Sequence, residues 1–404
     1  MFPVSRYDTR LERGSMSNQF DVVELTQRLV ACPSHAGVGE EAAARVAADI
    51  MTALGYEGVR IDELGNVTGV IRGDGDSWVV FDGHLDTVGV GDPDAWMTDP
   101  FTATRIGDRL HGRGTADMKG AVAAMIVGVA RLREEHPACN IVVSASIAEE
   151  LVEGYALGHV LERFPARAVV IGESTGLRIA TAQRGRAEIL VQTRGIPAHS
   201  STPQLGVNAV KAMAAVITGL SMLELPEDAV LGPAILEVTD VMSHPYPGLS
   251  VIPERCDATF DRRLLVGETE TSALAEIEAA LDRIKEDYPQ LQAQESIAID
   301  RFASWTGAEV VAPNFAPAWR MDDDSPVVRA AAAALGSIGI DPVLSHYAFC
   351  TNGSESAGRR GIPTIGFGPG DEAQAHTIDE SVEIEHLLRA ADGYEALARE
   401  LARL

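Results

Sequence analysis

Positive charge is scarce in this chain. Its 33 lysines and arginines stand against 59 aspartates and glutamates, a formal net charge of −26. That balance argues against nucleic acid or an anionic membrane as a partner, because either needs a basic face. It does not fix the charge of a small substrate. Long apolar runs are missing as well, and none approaches the ~20 residues of a membrane span. Met1 to Asn18 is polar and charged, without the basic-then-apolar order of a secretory signal. It reads as a disordered leader, with Met16 as an alternative start. Cysteine is rare: Cys32, Cys139, Cys256 and Cys350 lie far apart and form no C-x-x-C pair. Free thiols in a reduced, cytoplasmic setting are the simplest account. There is no internal repeat and no low-complexity segment. At 404 residues the chain is too long for one ordinary core, so two domains are expected.

What is present is a series of short apolar runs, each stopped by glycine or charge. Ser77 to Phe81 stops at Asp82-Gly83, Asn140 to Ile147 stops at Glu149, and Ala168 to Ile171 stops at Gly172. Runs of this kind fit buried strands of a sheet covered on both faces. Val38 to Leu54 and Lys119 to Glu135 are helical in spacing, and strands alternating with helices argue for a layered α/β domain. Ligands of such sheets collect beyond the carboxyl ends of the strands.

After Gln183 the pattern changes. Arg186 to Arg194 alternates like a half-exposed strand, and Pro203 to Met222 reads as a helix. Ala234 to Val241 and Glu254 to Leu264 read as strands, Thr271 to Tyr288 as a helix, and Gln292 to Phe302 as a last strand. That order is the split βαβ arrangement. The first style returns with a helix over Pro326 to Ile338 and the apolar run Ile362 to Phe367. The expected architecture is therefore a catalytic α/β domain with a mixed central sheet, over 17–182 and 306–404. It is interrupted by a four-stranded α+β insertion over 183–305.

Chemistry concentrates where strands give way to turns. Gly83-His84-Leu85-Asp86, Gly114 to Gly120 around Asp117, Ala148-Glu149-Glu150, Gly172-Glu173 and Ala375-His376-Thr377 supply two imidazoles and five carboxylates. This nitrogen/oxygen set suits a pair of zinc-like ions, with oxygen left over for a general base. Any one segment alone would more often be a solvated strand end; five in series are not so easily dismissed. Asp86, two residues from His84, is placed to orient its imidazole. Adjacent glutamates point in different directions, so one of Glu149 and Glu150 can ligate while the other faces bound water as general acid/base. The competing account is a solvated glutamate pair opening a helix, where acids suit the dipole.

These motifs resemble those of the di-zinc metallohydrolases of peptidase family M20, the aminoacylase, carboxypeptidase and succinyl-diaminopimelate desuccinylase group. The resemblance runs from about Phe20 to about Leu401. It is carried by Gly83-His84-Leu85-Asp86-Thr87-Val88, Gly112 to Gly120, Ala148-Glu149-Glu150, Gly172-Glu173-Ser174 and Ala375 to Glu380. It implies that Asp117 bridges two metals, that His84 and Glu173 complete one site, and that Glu150 and His376 complete the other. It makes Glu149 the general base and Asp86 the orienting residue, and it implies zinc by default, with cobalt or manganese also compatible. The interrupted architecture is also the family's.

Two further segments carry over. Gly195 to Ser201 is similar to the motif of the inserted lid and dimerisation domain, whose histidine, here His199, reaches a substrate oxyanion, commonly across a homodimer. Without the family it reads as a polar loop before a helix. Phe260-Asp261-Arg262-Arg263 is similar to the D-x-R strand and makes Arg263 a candidate grip for a substrate carboxylate, against a surface ion pair with Asp261. Asn352 stands where many members carry aspartate, which removes a charge near the substrate pocket and makes Asn352 a substrate-side residue. Thr351-Asn352-Gly353 with Gly366 to Glu372 looks most like the selenium-metabolism-linked hydrolases of the YgeY type. The expected activity is hydrolysis of an N-acyl amino acid or short peptide, with deacylase and dipeptidase or carboxypeptidase not separable. A di-metal phosphoesterase would use similar ligands but needs more basic groups than Arg113 and Lys119. A non-catalytic metal binder would have no use for Glu149 beside Glu150.

Overall fold

Three apolar strands, Trp78–His84, Asn140–Ser146 and Ala166–Ile171, lie side by side and parallel inside a nine-stranded mixed sheet. The computed structural model describes residues 21–404, so the leader expected over Met1 to Asn18 lies outside it. Thr364–Gly366 adds a fourth parallel strand beside Ala166–Ile171. Four strands thus end on one edge, and the turns that follow them share one crevice. Antiparallel strands flank this centre, Val67–Ile71 on one side and Ile179–Gln183 on the other.

Both faces of the sheet are covered, which is why the central strands read as continuous apolar runs. Helices Glu41–Ala53, Lys119–Ala130, Pro326–Ser337 and Ile384–Leu401 pack on one face in a single core. Tyr155–Arg163 covers the other face through Leu157, Val160 and Leu161. Every residue of Lys119–Ala130 is buried, because the helix is sandwiched between the sheet and Ile384–Leu401. Its small side chains allow that approach. A Cβ on Gly128 would lie 2.2 Å from the Ala391 carbonyl oxygen.

A second, antiparallel sheet has the order Ile235–His244, Arg255–Leu264, Gly185–Arg194, Ala293–Ile297. Helices Ala209–Leu220 and Glu270–Asp287 pack on it around their own core. This sheet also takes Phe315–Ala316, past the boundary expected at 305. Two expected elements differ. The helix read over Pro203 to Met222 is a turn at Pro203–Leu205 followed by a helix whose cap, Asn208, accepts from the Val210 and Lys211 amides. The strand read over Gln292 to Phe302 breaks at the buried Ala298, and its second half pairs with Glu309–Pro313 as a separate hairpin. The inward-facing phase slips by one residue there, which turns the following side chains to the other face.

Arg186 ties the two sheets together. Its guanidinium meets Glu153 at 3.2 Å on the side of the larger sheet, and Asp261 at 3.1 Å and Glu188 at 3.3 Å on the smaller one.

Candidate metal centre

His84 is the last residue of its strand and stands opposite Ser146, so it projects from the edge where the parallel strands end. Glu149 and Glu150 follow the neighbouring strand, Glu173 follows Ala166–Ile171, and His376 follows Thr364–Gly366. Asp117 arrives from the loop that enters helix Lys119–Ala130. Sheet topology therefore brings Asp117, Glu149, Glu150, Glu173 and His376 to one cleft of about 450 Å³, with the buried His84 against Asp117.

Asp117 sits between the two imidazoles. Its Oδ1 lies 3.1 Å from His84 Nε2 and its Oδ2 lies 3.3 Å from His376 Nε2. Glu173 approaches His84 Nε2 at 3.3 Å, and Glu150 approaches His376 Nε2 at 3.0 Å. The His84 Nδ1 faces the Asp86 main-chain carbonyl at 2.9 Å and the Asp86 carboxylate at 3.5 Å. A proton on Nδ1 leaves the Nε2 lone pair pointing at the carboxylates, as a metal ligand requires. Two sets of donors, His84 with Glu149 and Glu173, and His84 with Asp117 and Glu150, are close enough together to hold an ion. Glu149 thus reaches the cluster too, its Oε2 3.9 Å from His84 Nε2, while its Oε1 is buried with no hydrogen-bond partner.

The electrostatics suit a cation-binding cluster. Burial, followed by the Asp117 charge, lifts Glu173 to about 7 and raises Glu150 as well; burial, with the Glu173, Glu150 and Glu153 charges acting against that of His84, lifts Glu149 well above the carboxylate range. Hydrogen bonds to Asp117 and Glu150 raise His376 to about 10. Burial opposes ionisation of Asp117, but hydrogen bonds from His376 and His84 hold its carboxyl low. Nitrogen and oxygen donors with surplus negative charge are a donor set for zinc-like divalent ions.

The chain matches the model of peptidase family M20/M25/M40 over residues 80–400. It is 33% identical to the Escherichia coli protein YgeY over 393 residues, 94% of each chain. It is 28% identical to a succinyl-diaminopimelate desuccinylase of Rhizorhabdus wittichii, covering 94% of this chain and 97% of that one. Among solved structures, aminopeptidase PepT from Bacillus cereus superposes with TM-score 0.70 at 22% identity, covering 94% of this chain and 98% of that chain. The Bacillus subtilis YXEP protein, a dinuclear metal binding peptidase, gives 0.69 at 14% identity, covering 96% and 99%.

The chain belongs to peptidase family M20. It is a metallohydrolase with the mixed α/β fold of that family.

The residues expected on the substrate side fare differently. Arg263 lines the M20 cleft together with Arg186, Phe349 and Cys350. Its Nε pairs with Asp261 at 2.7 Å, and among the described residues its two terminal nitrogens form no ion pair. Asn352 does not face the cleft. It is 3% exposed, and its amide nitrogen donates to Asp82 at 2.8 Å and Ser146 at 3.1 Å while its oxygen accepts from the Gly154 amide at 2.7 Å. Those bonds use the side chain beneath the site, where an aspartate would set a second carboxylate against Asp82. His199 is exposed on the insertion and is not among the residues lining the cleft of its own chain.

Sequence reasoning gave no role to Glu380. Its buried carboxylate accepts from the amides of Gly114, Ala116 and Asp117 at 2.7–3.0 Å and pairs with Arg113 at 2.7 Å. It therefore fixes the loop that presents Asp117. The only clue in the sequence is its position four residues after His376, since its partners are mostly main-chain amides.

Proposed function

We propose that this protein hydrolyses the amide bond of an N-acyl amino acid or short peptide, using two divalent ions, zinc by default. The carrying observation is the Asp117 carboxylate with one oxygen toward each imidazole, beside a buried Glu149 oxygen that has no partner. His84 and Glu173 would hold one ion, Glu150 and His376 the other, with Asp117 shared between them. When bound, such ions polarise a carbonyl and make water acidic enough to be a nucleophile at neutral pH. Glu149 takes the proton of the attacking water and passes it to the departing nitrogen. Arg263, whose terminal guanidinium nitrogens form no ion pair among the described residues, grips the carboxylate next to the scissile bond.

His199 serves the oxyanion. Its Nδ1 accepts from the Ser201 main-chain amide at 3.1 Å, so the neutral ring carries its proton on Nε2 and can donate it. We place that donation in the partner's cleft of a homodimer. The His199 loop packs against the segment around Val251, and Ile196, Leu205, Tyr246 and Leu249 are exposed on this surface. Strand Ile235–His244 is an unpaired sheet edge beside it, suited to a two-fold contact. The four cysteines are all free, which suits a reducing cytoplasm. Among the described residues no helix is long and apolar enough to cross a membrane.

Phosphoester hydrolysis is disfavoured by the fate of the motif cations. Arg113 is paired with Glu380 in the interior, and Lys119 Nζ donates to the Cys32 carbonyl at 2.7 Å. The desuccinylase relatives favour an acylated amino acid, and a free carboxylate beside the amide serves a dipeptide equally. A panel of acyl-amino acids, dipeptides and a generic phosphoester, each with Zn²⁺, Co²⁺ or Mn²⁺, tests the reading. Turnover of the phosphoester alone would overturn it. The two glutamates separate further. Glu149→Gln should keep two metals per chain and lose on the order of 10²–10⁴-fold in turnover, whereas Glu150→Ala should lose metal as well. Equal metal loss in both variants would mean that the roles are misassigned.

A further inference from the structure

The turn that carries Glu149 and Glu150 is held through its main chain by two carboxylates from elsewhere. The Glu149 and Glu150 amides donate to Asp86 Oδ1 and Oδ2 at 3.1 and 2.9 Å. The amide before them, that of Ala148, donates to Glu40 Oε1 at 3.2 Å. Ala148 has φ +54°, a backbone region that a residue with a Cβ keeps only when its surroundings hold it there.

Glu40 is well anchored for this task. It stands at the N-cap of helix Glu41–Ala53, where its carbonyl accepts from the Ala44 amide at 2.8 Å. A side chain at that position ordinarily caps its own helix, but that of Glu40 makes no capping bond. It reaches across to Ala148 instead and is 7% exposed. Behind it lies a cavity of about 510 Å³, walled by the loop 34–41 and by Phe302 and Trp305 of the hairpin. Losing the Glu40 side chain would therefore admit water without creating a clash, and water would satisfy the Ala148 amide without fixing its place.

We infer that Glu40 is a positioning residue for hydrolysis. Together with Asp86 it clamps three consecutive amides, so that the Glu149 and Glu150 carboxylates keep separate directions from one rigid turn. This rests on the roles proposed above for those two residues. Glu40 bonds the Ala148 amide and is not among the residues lining the metal cleft, so its loss should fall on turnover and not on substrate binding. A small displacement of a reacting group is costly in rate.

Three variants and two readouts test this. Glu40→Ala removes the acceptor, Glu40→Asp keeps the charge but falls short of Ala148, and Glu40→Gln keeps an acceptor oxygen at the same reach. Amide hydrogen exchange of the 147–151 segment should quicken by about tenfold in the Ala and Asp variants and stay near wild type in Gln. On whichever substrate the panel identifies, kcat should fall by about tenfold to a hundredfold in the same two variants, with KM within about twofold and Gln restoring most of the rate. If Glu40→Ala lacks a cooperative melt, the Asp and Gln variants decide. Wild-type exchange and kcat in Glu40→Asp would overturn the inference, as would a Gln variant as impaired as Ala or Asp. Should Glu149→Gln retain full turnover, the base assignment fails instead, and the exchange measurement still judges Glu40.

Discussion

At the metal cleft, protons and metal ions compete for the same atoms. His84 Nε2 and His376 Nε2 each face carboxylate oxygens at 3.0–3.3 Å, contacts that need a shared proton or a cation. Asp117 and Glu150 raise His376 to about 10, and burial with the Asp117 charge raises Glu173 to about 7, so both hold a proton more tightly than the free groups. Both must shed those protons to ligate, so metal affinity should rise with pH between about 6 and 8, with roughly one proton or more released per chain. Calorimetric titration of the metal-free protein with Zn²⁺ in two buffers of different ionisation heat measures that release; identical heats would contradict it. His84, Glu149, Glu150, Glu173 and His376 could be picked out of the sequence because each ends or follows a strand-like run. Asn352 could not be placed, since sequence does not say which side of a turn faces the cleft. Glu380 and Glu40 were given no role for another reason: they bind mostly main-chain amides, and amides leave no residue pattern.

At the scale of elements, the cleft depends on how closely two strand ends approach. Gly172, at the end of Ala166–Ile171, and Gly368, after Thr364–Gly366, face each other. A Cβ on Gly368 would lie 2.2 Å from the Gly172 oxygen and 2.4 Å from the Glu173 oxygen, both of them main-chain atoms. Neither can yield without moving Glu173. Gly368→Ala should therefore cost about 1–3 kcal/mol of stability, the usual range for overpacking, and lower metal content with it. Denaturant melts and elemental analysis check this, and an alanine variant with wild-type stability and metal content would show that the strands part easily. The sequence made the parallel strands legible because double coverage leaves continuous apolar runs. Half-covered elements of the insertion were harder: Gln292 to Phe302 reads as one strand, and only the phase slip in burial at Ala298 shows that it serves two sheets.

At the scale of the whole molecule, the proposed homodimer would bring the exposed His199 of one chain to the cleft of another. His199 lies outside the residues lining its own cleft, while its loop adjoins exposed apolar side chains, including Tyr246 at 78% and Leu249 at 80%. Side chains this large and this exposed are costly to leave in water, and burying them against a second copy would carry His199 with them. The shared site makes a distinctive claim about mixed dimers. A chain carrying His199→Ala and a chain carrying Glu149→Gln should each be nearly inactive alone. In a dimer of the two, the cleft with native Glu149 receives native His199 from across the interface, whereas the other cleft has neither. Half the dimers formed by random exchange are mixed, and each has one complete site of two, so activity should return to roughly a quarter of wild type. Failure to recover despite confirmed exchange would confine His199 to its own chain. A strictly monomeric protein by light scattering would do the same, leaving closure of the insertion over its own cleft as the route by which His199 could arrive.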